Sequence, residues 1–198
     1  EELRLREALR ARDAKIKEQR FSANKFRYDR SYDLLPDLSS RSFADYLEPI
    51  VLLGLNTGMR RGEILTLEWQ NVDLSNKNLT VISENAKSGK SRHIPLNNEA
   101  YDALKRWKLD SSSSGAVFKG QDGKPLLEIR KSWATVLDMA KIENFRFHDL
   151  RHHFASRLVM ASVDLNTVRE LLGHSDLTMT LRYAHLAPEH KAAAVNLL

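Results

Sequence analysis

The sequence has 198 residues, 42% of them hydrophobic, which is enough for one sizeable core with an additional arm. It contains no cysteine, which excludes disulfide frameworks, cysteine-ligated zinc, iron–sulfur clusters and thiol catalysis. No apolar run approaches the roughly 20 residues of a membrane helix, and the net charge is +5, of which residues 1–30 carry +4 through ten basic and six acidic side chains.

The first 41 residues are predicted to form an arm. Residues 1–20 are highly charged and predict a helix with a thin apolar line at Leu5, Leu9 and Ile16. From Phe21 onward the chain is polar and broken by Pro36, which is typical of a connector. We therefore divide the chain into an arm, 1–41, and a main domain, 42–198. Because it does not begin with Met, we expect it to be a piece of a longer protein.

The middle of the chain is predicted to hold helices and a small sheet. Ser42 is a candidate cap for a buried helix through FADYLEPIVLLGLN, which Pro49 kinks or restarts and Thr57-Gly58 ends. RRGEILTL then begins another helix. NLTVIS and RHIPL have strand character and flank a polar turn, which predicts an antiparallel pair. Asn97 is expected to cap the helix that follows.

The last third is predicted to be helical. In HDLRHHFASRLVMA the expected core face consists of Leu150, Phe154, Leu158 and Ala161. Asn166 or Thr167 is expected to cap the next helix, which Gly173 ends. The fold class is therefore mainly α with a small antiparallel β-sheet, an α+β domain.

Two further helices are predicted, one from Ser175 through Tyr183 and one that begins at Pro188. The apolar stripe of the first is expected at Leu177, Leu181 and Ala184, which leaves Tyr183 about 120° away from it. That position argues mildly against a core tyrosine, but, taken alone, a tyrosine packed for structural reasons, for example against Met179 one turn back, remains the better interpretation.

Basic side chains in two segments suggest a site for an anion. On a helix Arg151 lies about 60° from His148, and His152 about 40° to the other side, so that all three flank the apolar stripe. Arg60 stands at the start of a predicted helix, where the dipole disfavours a cation unless a phosphate binds there too. Taken singly, each of these groups is better explained without a ligand: the residues of the HxxR motif as a solvated basic face with a capped histidine, and Arg60 as a solvated arginine.

Four segments in order resemble the signature blocks of the tyrosine recombinases, the family of phage integrases and Xer-type enzymes. They are TGMRRGEILTL, KSGKSRHIPL, HDLRHHFA and LLGHSDLTMTLRYAHL, with the tyrosine nine residues after the last histidine. The resemblance runs from about Phe43 to Leu186 and implies the catalytic-domain fold of DNA breaking–rejoining enzymes. The N-terminus departs from the family pattern, because 1–41 is too short for the helical DNA-binding domain usual there.

The resemblance also implies roles for individual residues. It assigns as catalytic Arg60, Lys87, His148, Arg151, His174 and Tyr183, and as supporting residues Glu63 and His152. Tyr183 would be the nucleophile, with His148 assisting its deprotonation and Lys87 protonating the leaving oxygen. Glu63 would orient Arg60.

The implied activity is that of a site-specific recombinase or integrase of a phage or mobile element. It would break and rejoin DNA strands through a 3′-phosphotyrosine intermediate, with no cofactor and no metal, because two arginines would hold the phosphate. The implied partner is double-stranded DNA, bound by a homotetramer on two duplexes and by a monomer otherwise, with accessory DNA-bending or directionality proteins. No membrane is involved, and the expected location is the cytoplasm, at the nucleoid.

Three alternatives remain open at this point. A type IB topoisomerase would use a similar tyrosine site to relax supercoils. A catalytically inactive DNA-binding regulator would keep the fold without the reaction. A metal nuclease built on the seven histidines is the weakest of the three, since the sequence lacks HExxH and paired acidic ligands.

Overall fold

The computed structural model of the chain describes residues 1–82, 91–111, 114–120 and 123–187. Within these ranges it is mainly helical with one three-stranded antiparallel sheet, which confirms the predicted fold class. The helices are α1 (Glu2–Tyr28), α2 (Leu47–Thr57), α3 (Arg61–Leu65), α4 (Asn98–Asp110), α5 (Arg130–Ala140), α6 (Asp149–Met160), α7 (Leu165–Leu172) and α8 (Thr178–Leu181). The strands are β1 (Val72–Asp73), β2 (Asn78–Val81) and β3 (Arg92–Pro95).

The sheet has the order β1-β2-β3, and its register decides which side chains face the core. Leu79 pairs with Ile94 and Val81 pairs with Arg92, and all four are buried. The alternate residues of β3 point outward, as the pleat of a strand requires. The predicted pairing of NLTVIS with RHIPL is confirmed, whereas β1 was not predicted.

Helix α1 is longer than predicted and packs on the rest of the molecule. It continues to Tyr28, so the connector predicted from Phe21 begins later than expected. The segment FSANKFRY contains neither Gly nor Pro, and a polar composition alone does not end a helix. Buried side chains at Leu5, Ala8 and Leu9 belong to the main core, where α1 contacts α2 and α5. The division at residue 41 remains a prediction.

Helix α2 is the most buried helix of the large core. It begins at Leu47, so Pro49 lies in its first turn, where no N–H partner is needed, and the helix starts there instead of kinking. Gly58 ends it with a left-handed φ of 62°, and a Cβ at this position would collide with Phe154. The glycine lets α2 and α6 approach each other closely. Asn97 caps α4 as predicted, accepting a hydrogen bond from the Ala100 N–H.

Helix α6 joins two hydrophobic clusters. The large cluster contains Leu150 together with buried residues of α1 to α5 and the sheet. The small cluster consists of Ala155, Val159, Val168, Leu172 and Tyr183. The predicted core face of α6 is confirmed at Leu150 and wrong at Ala161, which is exposed because the helix has already ended at Met160. Phe154 and Leu158 are half-buried against the small cluster.

The caps of α7 are partly as predicted. Gly173 ends the helix with a left-handed φ of 67°. The N-terminal cap is Asp164, whose carboxylate accepts a hydrogen bond from the Thr167 N–H at 2.9 Å, so the prediction of Asn166 or Thr167 is wrong. An Asp two or three positions earlier serves the same purpose, since its oxygen reaches the N3 N–H.

The predicted helix from Ser175 through Tyr183 is reduced to the single turn α8, which is followed by a short 3-10 turn, Ala184–Leu186. The predicted apolar stripe is wrong, since Leu177 and Leu181 are exposed while Thr180 and Tyr183 are buried. The inner side of this segment is polar, because two histidines supply hydrogen-bond partners for Thr180 and Tyr183. The helix predicted from Pro188 lies outside the described residues. Among helices in the described ranges, none combines the length and hydropathy needed to cross a membrane.

Candidate active site

A cavity of about 630 Å³ is formed by the start of α3, the first half of α6, the end of α7 and the α8 region. Six of the residues predicted from the sequence line it: Arg60, His148, Arg151, His152, His174 and Tyr183. Glu63 contacts Arg60, and Lys87 lies outside the described residues. The fold therefore brings three of the four sequence blocks to one cavity.

Arg60 is the N-cap residue of α3 and is held by Glu63. The Glu63 carboxylate accepts hydrogen bonds from the Arg60 backbone N–H and from Nη1, both at 2.8 Å. Burial raises the pKa of the Glu63 carboxyl, but hydrogen bonds and charges of Arg92 and Arg60 outweigh burial and leave the pKa below its usual value. Glu63 therefore stays ionised, and it makes the contact that its predicted orienting role requires.

Arg92 is a member of the site that the sequence analysis missed. Its Nη1 and Nη2 donate to the two carboxylate oxygens of Glu63 at 3.0 and 2.7 Å, and its Nε donates to the Leu171 carbonyl at 3.0 Å. A signal was available in RHIPL, because strand alternation places Arg92 on the same inward face as Ile94. A charged side chain at such a position needs a buried partner.

Arg151 is 3% exposed and is held by two backbone carbonyls. Nη1 donates to Gly58 at 2.8 Å and Nη2 to Leu172 at 2.7 Å. Both carbonyls lie at helix C-termini, whose dipoles favour a cation. Burial, followed by the charge of Arg60, lowers the pKa of Arg151 to about 9, which still keeps the guanidinium charged at neutral pH. These contacts use two of its five N–H groups.

The Tyr183 hydroxyl contacts His152. A hydrogen bond of 2.6 Å joins Tyr183 Oη to His152 Nδ1, and the His148 ring lies edge-on to His152 with 5.0 Å between ring centroids. Burial raises the pKa of the Tyr183 phenol, and the charges of Arg182 and Arg151 oppose that rise. Burial lowers the pKa of both histidines; His152 and then Arg151 lower that of His148 further, and the charge of Arg182 lowers that of His152. At neutral pH two uncharged imidazoles therefore stand beside a protonated phenol.

His174 follows the left-handed Gly173 and is 8% exposed. Its Nδ1 is joined to the Thr180 hydroxyl by a hydrogen bond of 2.8 Å, which leaves Nε2 as the other polar atom of the ring. Burial, followed by the charges of Arg151, Arg60 and Arg92, lowers the pKa of His174 to about 4. Thr180 is fully buried and was also missed by the sequence analysis.

The charges of the site favour a bound anion. Arg60 and Arg92 both bind the Glu63 carboxylate, and Arg151, which binds two backbone carbonyls, adds a third positive charge, so the group has an excess of positive charge. Forked guanidiniums suit the oxygens of a phosphate, with which they form paired hydrogen bonds. Within the described part of the chain, no group of three or more His, Asp or Glu residues is placed to hold a metal ion.

The family model of the Phage integrase family matches residues 26–190. Integrase of Salmonella phage P22 is 36% identical over 155 residues, which cover 73% of this chain and 40% of that protein. Tyrosine recombinase XerC of Xanthomonas campestris pv. campestris (strain B100) is 38% identical over 144 residues, covering 69% of this chain and 43% of that protein. The chain thus spans less than half the length of these relatives.

Solved structures with the same fold include integrases and a recombinase. The catalytic domain of bacteriophage HP1 integrase is 31% identical, with a TM-score of 0.60 over 75% of this chain and 79% of that chain. XerH site-specific recombinase bound to difH substrate is 26% identical, with a TM-score of 0.60 over 74% of this chain and 45% of that chain. The Tn1549 transposon integrase in complex with a circular intermediate DNA, at 21% identity and a TM-score of 0.64, covers 76% of this chain and 58% of that chain and shows the fold alone.

Proposed function

The chain belongs to the phage integrase family of tyrosine recombinases, and from this membership we propose that it is a site-specific DNA recombinase. One observation carries the proposal: two guanidiniums, Arg60 and Arg151, and the hydroxyl of Tyr183 share one cavity. This combination provides a phosphate clamp and a nucleophile, which are the two requirements of strand cleavage through a tyrosine.

The reaction is a transesterification at a DNA phosphodiester. The Tyr183 oxygen attacks phosphorus and forms a 3′-phosphotyrosine bond, while the bond to the 5′-oxygen breaks and a 5′-hydroxyl leaves. A 5′-hydroxyl later attacks phosphorus, and the strand is rejoined as the tyrosine leaves. Arg60 and Arg151 stabilise the charge that builds on the non-bridging oxygens. His174, which lines the same cavity, is a further hydrogen-bond donor to the phosphate.

Two proton transfers accompany cleavage. In this structure the phenol contacts His152 and not His148, which favours His152 as the group that receives the proton from Tyr183. His148 packs beside His152 and remains the second candidate. The 5′-oxygen gains a proton as it leaves, and Lys87, which lies outside the described residues, is the proposed acid.

Double-stranded DNA is the proposed partner. Structures of relatives carry DNA, since XerH is bound to difH substrate and the Tn1549 integrase to circular intermediate DNA. We extend the proposal to a homotetramer on two duplexes, a monomer without DNA, accessory DNA-bending or directionality proteins, and a cytoplasmic location at the nucleoid. In this proposal, residues 42–198 form the catalytic domain, and residues 1–41 link it to the remainder of a longer protein. The topoisomerase and inactive-regulator alternatives are not favoured, because the relatives reported above are integrases and recombinases.

The test is covalent capture on DNA. The full chain is incubated with a pool of nicked duplexes of random sequence, and protein–DNA adducts are isolated under denaturing conditions, sequenced and mapped by mass spectrometry. We expect one class of sequence and one modified tyrosine, Tyr183. Tyr183→Phe abolishes the adduct and retains binding to the selected duplex, whereas the control Tyr28→Phe, at a side chain that is 75% exposed, retains both. An adduct on another tyrosine, or none with any duplex, contradicts the proposal.

A further inference from the structure

Arg92 makes buried contacts that the proposed reaction does not yet use. Its side chain is 7% exposed, although it carries a full positive charge. Each of its three side-chain nitrogens has a partner, because Nη1 and Nη2 bind the two oxygens of Glu63 and Nε binds the Leu171 carbonyl. A guanidinium so constrained has a single orientation, and so do the groups that it binds.

The Glu63 carboxylate is shared between Arg92 and Arg60. Oε1 accepts hydrogen bonds from Nη1 of Arg60 and Nη1 of Arg92, at 2.8 and 3.0 Å. Oε2 accepts from the Arg60 backbone N–H and from Nη2 of Arg92, at 2.8 and 2.7 Å. The four donors fill the capacity of an ionised carboxylate, which has about four lone-pair sites. Without Arg92 the carboxylate would keep only the donors of Arg60 and could rotate with it.

The Leu171 carbonyl connects Arg92 to the other side of the cavity. Arg151 binds the next carbonyl, that of Leu172, so two arginines hold consecutive residues at the end of α7. Gly173 follows directly, and a Cβ there would lie 2.8 Å from Cδ of Arg92. His174 is the next residue, so the close contact between Gly173 and the Arg92 side chain lies directly before it. Arg92 thus bridges β3, α3 and the segment that leads into His174.

Stability alone does not account for this arrangement. A buried ion pair gains little over apolar side chains of the same volume, because both charges lose their hydration. Arg92 is not among the residues that line the cavity, and all three of its side-chain nitrogens bind Glu63 or Leu171. Arg92 instead binds Glu63, the carboxylate that orients the Arg60 guanidinium.

We propose that Arg92 is a positioning residue for strand cleavage: through Glu63 it fixes the direction of the Arg60 guanidinium, and through Leu171 it sets the distance between Arg60 and the His174 segment. The catalytic consequence rests on the proposed function, whereas the geometric one does not. The two parts can therefore fail separately.

The geometric part is tested without DNA, by ¹⁵N NMR of the arginine side chains of the full chain. In the wild-type chain, we expect separate Nη signals for Arg60, because its bond to Glu63 hinders rotation of the guanidinium. In Arg92→Met these signals merge, and in Arg92→Lys they broaden, since an ammonium reaches one carboxylate oxygen only. The matched control is Arg61→Met, an exposed neighbour paired with Glu128, which leaves the Arg60 signals unchanged. Unchanged Arg60 signals in a folded Arg92 variant overturn the proposal.

The catalytic part is measured as single-turnover adduct formation on the duplex selected above, with the dissociation constant for the same duplex measured separately. We expect Arg92→Met to slow cleavage by on the order of 10- to 100-fold, as small misplacements of catalytic groups do, with little change in the dissociation constant. Arg92→Lys should recover part of the rate, and serves alone if Arg92→Met does not fold.

A double variant separates positioning from general destabilisation. In a Glu63→Gln background, Arg92→Met should add little further loss of rate, because both changes break the same link to Arg60. Multiplied rate losses, or losses that appear only in the dissociation constant, overturn the proposal. If the wild-type chain forms no adduct, the proposed function fails, and the NMR comparison still decides whether Arg92 positions Arg60.

Discussion

The Arg60 side and the Tyr183 side of the cavity are built differently. Arg60 begins a helix whose inner face belongs to the large hydrophobic cluster, and Glu63 ties it to β3 through Arg92. Tyr183 belongs to the small cluster and follows a helix of one turn. Large apolar side chains around that helix are exposed: Leu177, Met179 and Leu181.

This difference means that Arg60 is held in place by the fold, whereas the position of Tyr183 can adjust. Folding of the large cluster places Arg60, because its backbone N–H and its Nη1 are both held by the Glu63 carboxylate, which Arg92 also binds. The segment 177–186, which contains Tyr183, has few buried apolar contacts, and such segments open at lower free-energy cost than the core does. We therefore expect the Tyr183 side to adjust when DNA binds, while the Arg60 side keeps its geometry.

Among the substitutions that test this difference, those of the two arginines are expected to have the largest effects on the rate of cleavage. Arg60→Ala should slow single-turnover cleavage by on the order of 10²- to 10³-fold, the cost of one lost oxyanion donor, and leave the free energy of unfolding nearly unchanged. Arg151→Ala should slow cleavage as much and also destabilise the fold by about 2 kcal/mol or more, because two buried carbonyls, those of Gly58 and Leu172, lose their donors. Adduct formation and urea unfolding measure the two quantities.

Arg151→Lys is the control for that pair. An ammonium keeps the charge but cannot reach both carbonyls as the fork does, so we expect partial recovery of stability and little recovery of cleavage. If Arg60→Ala destabilised the chain as much as Arg151→Ala, the distinction between a residue that acts on phosphate and one that also holds the fold would be lost.

Histidine substitutions test which imidazole serves Tyr183. We expect His152→Gln to slow cleavage by about 100-fold, at the low end of general-base contributions, and His148→Gln to have a smaller effect. Burial and the charge of Arg182 lower the pKa of His152, so the wild-type rate should be level near neutral pH and fall only when the pH drops below the ordinary histidine value. Without His152 this acidic limb should disappear, and the rate should rise toward alkaline pH as the phenol ionises.

The pH profile of His148→Gln is the matched comparison. A profile that keeps the wild-type acidic limb supports His152 as the base. If instead His148→Gln removes the limb and His152→Gln retains it, then the contact seen here belongs to a resting state, and His148, the base implied by the sequence motifs, is the better assignment.

Sequence patterns predict the large cluster better than the small one. Apolar runs, Asn97 as a cap and strand alternation around Ile94 are local signals, and the structure follows them. The prediction for α8 is wrong, because the helical spacing of Leu177 and Leu181 predicts an apolar inner side and that side is in fact polar. Which side of a short helix is buried depends on partners from elsewhere in the chain, here His152 and His174.

The site is likewise predictable where the family resemblance assigns its residues. The resemblance of the sequence blocks to the tyrosine recombinases assigns Arg60, Arg151 and Tyr183 to one site, and the three side chains do line one cavity. The resemblance assigns no role to Arg92 and does not reveal that it shares Glu63; only its alternation with Ile94 along the strand indicates that its side chain faces inward. Nor does it indicate Thr180, whose hydroxyl matters only through the one nitrogen of His174 that it meets.

Acid should weaken the small cluster before the large one. Burial, then the charges of Arg151, Arg60 and Arg92, lowers the pKa of His174 to about 4 in the folded chain, and Asp176 opposes this only weakly. An unfolded chain binds a proton on the same ring at its ordinary value of 6.5. Between these values the unfolded state holds more protons, so stability is lost as the pH falls from about 6.5 toward 4.

Amide hydrogen exchange resolves where that stability is lost. We expect protection of Val168 and Leu172 in α7 to fall with pH in this range, after correction for the intrinsic exchange rate, while that of Leu53 in α2 changes little. Thr180→Val should lower protection in α7 by about 1 kcal/mol at neutral pH, because it removes one hydrogen bond to His174. Inorganic phosphate should oppose the acid effect, since an anion beside the arginines raises the pKa of His174. Equal losses in α2 and α7 would mean that the two clusters unfold as one unit, and that the nucleophile is as firmly placed as the clamp.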